Sequence, residues 1–94
     1  MKIDLDFLVM TQRHATDLLK WDILSHFAHN PEQTTSAQTV AEQIGRHVDA
    51  VRPELGQFAL VGVLEQQDSQ PISYRLTSEP HMRTQVAKFV ERPS

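Results

Sequence analysis

Two glycines and a proline divide this sequence into short segments, and any fold it adopts must turn at those points. Pro31 follows Asn30, and the residue before a proline is pushed out of helical dihedrals, so a helix should end there. Gly45 and Gly62 each close an apolar-periodic run, the position where a residue free to take positive φ ends a helix. In the run before Pro31, Ala15 to His29, Leu19, Ile23 and Phe27 recur at i, i+4, i+8, with Leu24 beside them. Leu18, Trp21 and Ala28 lie on a second side, so the pattern predicts a helix covered from two directions.

The next segment predicts a second helix over Ser36–Ile44, with Ser36 as cap and Val40, Ala41 and Ile44 facing inward. Thr39-x-x-Glu42 offers a rival start as a capping box. Arg46-His47-Val48 links to a third helix at about Asp49–Val61, with Val51, Leu55 and Phe58 on its core side. Within it, Pro53 falls at the fourth position if Asp49 is the cap, and Gly56 costs about 1 kcal/mol relative to alanine. Val63–Gln66 and Ile72–Leu76 are strand-like runs around the polar segment 67–71, which predicts a hairpin. A last helix is expected from near Ser78 to about Glu91, with Pro80 in its first turn. Residues 1–10 read ambiguously: Ile3, Leu5, Phe7 and Val9 alternate as in a strand, Asp6 can cap a helix, and the reading leans to helix. The expected core joins Ile23, Phe27, Ile44, Leu55 and Phe58.

At 94 residues the chain predicts one domain over 1–94: an N-terminal extension of about 1–14, a core of 15–77 and a C-terminal helix of 78–91. Without cysteine it has no disulfide and no thiolate metal ligand. No apolar run reaches the roughly 20 residues of a membrane span, and MKIDLDFLV lacks the basic start of a signal peptide, so a cytoplasmic protein is expected. Nine Lys/Arg against twelve Asp/Glu give a formal charge of −3, which runs against the basic balance expected of a nucleic-acid binder.

Three helices followed by a hairpin is the order of a winged helix-turn-helix, and four pieces carry a resemblance to that superfamily. SAQTVAEQIG, Ser36 to Gly45, looks like the second helix of bacterial winged-helix regulators. The spacing from Gly45 to Gly62, with Val51, Leu55 and Phe58 between, resembles theirs. Gly62-Val63-Leu64-Glu65 resembles the strand entry after the recognition helix, and Tyr74-Arg75-Leu76-Thr77 the close of the wing in regulators of the MarR, PadR and ArsR type. The resemblance spans about Leu19 to Thr77. It implies an α+β, mostly helical fold with a three-helix core, a two-stranded β wing and a C-terminal helix, and a double-stranded DNA partner in transcriptional control.

By position, the resemblance assigns Asp49, Ala50, Arg52, Pro53, Gly56 and Gln57 to the groove-facing side, preceded by Arg46 and His47. The DNA-binding set it implies is Arg46, His47, Ala50, Arg52, Gln57 and Arg75. Arg52 can read guanine and Gln57 adenine, but the wing tip Gln66–Gln70 carries no basic residue. Winged-helix regulators commonly dimerise through terminal helices, and Leu18, Trp21, Met82, Val86, Phe89 and Val90 form the expected homodimer surface, with packing inside the chain as the alternative use of the same residues. His26-x-x-His29 has the one-turn spacing of two metal ligands but no third at a recognisable distance, so no metal and no cofactor are predicted. No phosphate loop or nucleophile–base pattern occurs, and no enzyme is predicted. The competing function is a winged-helix protein-interaction module without DNA binding.

Overall fold

The computed structural model of the chain describes residues 18–91. Among these it is α+β and mostly helical, with four helices and one three-stranded antiparallel sheet. Helix α1 is seen from residue 18 to residue 29, and is followed by β1 (Thr35–Ser36), α2 (Ala37–Ile44) and α3 (Val48–Leu60). Then come β2 (Leu64–Gln67), β3 (Ser73–Leu76) and α4 (Pro80–Glu91). The expectations for residues 1–10, for the extension to residue 14 and for a helix start at Ala15 lie outside the described residues.

The three stops act where the sequence puts them. At the end of α1, the Asn30 side-chain amide donates to the His26 carbonyl at 2.9 Å, and its backbone N–H reaches the Phe27 carbonyl at 3.2 Å. Gly45 sits at φ +70°, and its N–H and that of Arg46 both turn back to the Ala41 carbonyl. Gly62 sits at φ +85°, where Val63 N–H bonds Phe58 O at 2.9 Å and Gly62 N–H bonds Ala59 O at 3.2 Å. That crossed pair is a Schellman motif, which satisfies carbonyls a helix end would otherwise leave open.

The helix starts differ in detail from expectation. Ser36 is the cap of α2, its Oγ accepting from Thr39 N–H at 3.3 Å. The capping box at Thr39 does not form, because Thr39 already lies inside the helix and the Glu42 carboxylate accepts from the Gln38 amide at 3.1 Å. α3 is capped by His47, whose Nδ1 accepts from Asp49 N–H at 3.3 Å, rather than by Asp49. Pro53 therefore falls in the second turn, and its missing N–H leaves the solvent-facing Asp49 carbonyl without a helical donor. α4 begins at Pro80 instead of Ser78, since the Glu79 carboxylate takes the Met82 and His81 N–H groups at 2.6 and 3.0 Å.

The main departure is β1. No strand is expected ahead of the second helix, but Thr35 and Ser36 pair with Tyr74 and Ser73 and make the sheet three-stranded, in the order β1-β3-β2. In the hairpin, Leu64 faces Leu76 and Glu65 faces Arg75. Tyr74 and Leu76, two residues apart on β3, turn inward with Leu64 onto the helices.

Ile23, Phe27, Val40, Val51, Leu55 and Leu64 are fully enclosed, and Leu24, Ala37, Ala41, Phe58, Tyr74, Leu76 and Val86 complete the described core. Of the five residues expected to be buried together, Ile44 is the exception. It sits half-buried at the rim, beside the exposed turn at Gly45, because α2 ends there. Leu55 contacts the centre of this core, so Leu55→Ala should cost about 2–5 kcal/mol in urea unfolding, and a loss below about 0.5 kcal/mol would contradict that placement.

Candidate nucleic-acid interface

α3 divides cleanly between two environments. Val51, Leu55 and Phe58 are buried, whereas Asp49, Ala50, Arg52, Pro53, Gly56 and Gln57 are all exposed on the other side. A Cβ at Gly56 would meet nothing within 4 Å, so the missing side chain answers no packing need among the described residues. The turn before α3 exposes Arg46 and His47, and the hairpin brings Arg75. These are the residues assigned to DNA, and the structure gives three of them different situations.

Arg46 is engaged inside the chain: its Nε and Nη2 donate to Asp22 Oδ2 at 2.9 and 2.5 Å, tying the α2–α3 turn to α1. Arg75 is held across the hairpin, with Nη2 on Glu65 Oε1 at 2.8 Å. The other oxygen of Glu65 accepts from the Ser78 N–H and hydroxyl at 3.1 and 3.3 Å. The Arg75 bond first, and then the Ser78 N–H, hold the Glu65 carboxyl below its ordinary value, and the same bond raises Arg75. Arg52 has only Asp49, at 3.8 Å between two strongly exposed side chains, a contact worth little in water. Of the three arginines, Arg52 is the one available to an outside ligand.

The sequence missed part of this surface. Gln38, Pro71, Ile72 and Tyr74 join Arg52 around a recess of about 210 Å³ between the start of α2, α3 and the hairpin loop. Ile72 stays 46% exposed there. The sequence puts Ile72 at the start of the second strand, but that strand begins at Ser73, and Ile72 is left exposed beside Pro71 at the recess.

The residues assigned to a dimer surface are largely used within the chain. Val86 is buried in the core, and Leu18, Trp21, Met82, Phe89 and Val90 are half-buried. The Trp21 indole N–H donates to the Val90 carbonyl at 3.0 Å, which fixes α4 against α1. Of the two candidate histidine ligands, His29 Nδ1 is bonded to the Ser25 carbonyl at 2.7 Å. His26 packs edge-on against Phe27, with its Nε2 buried and without a hydrogen-bond partner among the described residues. Among the described residues, no three His, Cys, Asp or Glu side chains converge as a metal site, and no helix is long and apolar enough to cross a membrane. Neither family models, nor characterised proteins, nor solved structures give a match to this chain.

Burial pushes the His26 pKa down from its ordinary value of 6.5, so the folded chain binds a proton at this ring less readily than the unfolded chain does. Stability from this group is complete above that value and declines as pH falls below it. Thermal unfolding between pH 7.5 and 5 should show that decline, and His26→Gln should flatten it. Identical pH profiles for the two proteins would show that His26 does not contribute.

Proposed function

We propose that this chain is a winged helix-turn-helix domain that lays α3 in the major groove of duplex DNA and acts as a homodimeric transcriptional regulator. The observation that carries the reading is the bare outward face of α3. Arg52 and Gln57 flank Gly56 there, and nothing else in the described chain covers them. α2 and α3 meet at a tight glycine turn, and the hairpin stands beside them, the disposition in which a second helix reads bases while a wing meets the backbone. Arg52 supplies bidentate guanine contacts and Gln57 bidentate adenine contacts. Gly56 lets the helix approach the groove wall closely.

A second reading has its own support. Arg46 and Arg75 are already neutralised by Asp22 and Glu65, and the hairpin tip adds Asp68. An arginine that trades a carboxylate for a phosphate releases few counterions, so such a surface gains little general affinity for DNA. The same α3 face, with Ile72 and Pro71 beside it, then serves a protein partner.

A titration against duplex DNA at two salt concentrations separates the readings, because a slope near zero in log affinity against log salt fits only the protein partner. For a DNA reader, Arg52→Ala should cost about 1–3 kcal/mol at a selected site. Gly56→Ala should weaken binding while stabilising the fold by up to about 1 kcal/mol. The homodimer is checked by sedimentation at micromolar concentration, where a species of twice 10.7 kDa is expected and a clean monomer would remove the symmetric half-site arrangement.

A further inference from the structure

Between α1, the end of α3 and α4 runs an open groove of about 370 Å³. Its walls are apolar, from Leu24, Phe58, Val63, Met82 and Val86, but two ammonium groups stand on it, Lys20 and Lys88. Lys20 reaches Glu54 at 3.0 Å, while Lys88 makes no ion pair among the described residues. An apolar floor with cationic flanks selects a segment in which apolar side chains alternate with carboxylates. Loose fatty or aromatic acids fit less well, since the groove is open along its length and encloses little of a small ligand.

The chain carries one such stretch. Ile3-Asp4-Leu5-Asp6-Phe7-Leu8-Val9 alternates apolar and acidic residues at its start. Its position along the chain also suits the groove. The Trp21–Val90 bond brings the first described turn of α1 against the last described turn of α4, close to both Lys20 and Lys88. Leu18, the first described residue, therefore lies within a turn of Lys20 on α1. The intervening residues 10–17 can span up to about 26 Å, enough to lead back along the groove. A tether of that length gives an effective concentration in the millimolar range, which favours docking within one chain over capture of the same segment from another.

We infer that the groove between α1 and α4 is the docking site of the chain's own residues 3–9, with Asp4 and Asp6 meeting Lys88 and Lys20. The segment would cover apolar surface that α4 leaves open, and the ionic part of its hold would weaken with salt. This inference is independent of whether α3 binds DNA, since the two surfaces use different sides of the molecule's helices.

The experiment is zero-length carbodiimide coupling of the full chain at low salt, with the linked peptides identified by mass spectrometry. An equal mixture of isotopically light and heavy copies is used. The expected product joins Asp4 or Asp6 to Lys88 or Lys20 in light–light and heavy–heavy pairs only. The link to Lys88 should be lost in Lys88→Gln, and all the links should be lost in the Leu5→Asp, Phe7→Asp variant while its circular dichroism is unchanged. Mixed light–heavy pairs would overturn the inference in favour of exchange between copies. Absence of these links, or links that survive the Leu5→Asp, Phe7→Asp change, would overturn docking altogether.

Discussion

Thr35 and Ser36 hold the hairpin to the helices. By pairing with Tyr74 and Ser73, they turn what would be a two-stranded arm into a three-stranded sheet with β3 in the middle, whose inner face seals the core. Ser36 does this with its backbone while its hydroxyl caps α2, so the residue that ends the strand also starts the helix. An isolated hairpin is marginal in water, and the third strand together with the burial of Tyr74, Leu76 and Leu64 supplies the missing support. The recess shared by Arg52, Gln38 and Ile72 exists only because this pairing sets the hairpin loop beside α3.

Charge is distributed over this frame as pairs between elements. Lys20–Glu54 joins α1 to α3, Arg46–Asp22 joins the α2–α3 turn to α1, and Arg83–Glu32 joins α4 to the loop after α1. Each is partly exposed and contributes modestly to stability, but together with Arg75–Glu65 they engage four of the six Lys and Arg side chains among the described residues. A surface whose arginines are already answered cannot attract phosphate from a distance. The proposed DNA reading therefore depends on close contacts made by α3, with Arg52 at their centre, and on the doubling of those contacts in the proposed dimer.

Much of the fold could be read directly from residue order. The helix stops at Asn30, Gly45 and Gly62 follow from local sterics, and the inward faces of α1 and α3 follow from a 3.6-residue period. The outward face of α3 was legible for the same reason, since burying Val51, Leu55 and Phe58 leaves Arg52, Gly56 and Gln57 on the opposite side. Helix starts were read less well. Ser36 has the side chain a cap needs, but His47 and Glu79 cap by geometry that residue type alone does not announce.

What the sequence determined by itself, then, is whatever depends on neighbours a few residues apart: where helices stop, which of their faces are apolar, and which residues line the exposed side of α3. Only the tertiary structure decided the pairing of Thr35–Ser36 with a strand almost forty residues later, the loss of Arg46 and Arg75 to Asp22 and Glu65, and the use of Val86 in the core. A two-residue strand carries no periodicity of its own. A charged side chain finds its partner across space, so its availability to a ligand is a property of the packed chain rather than of any segment.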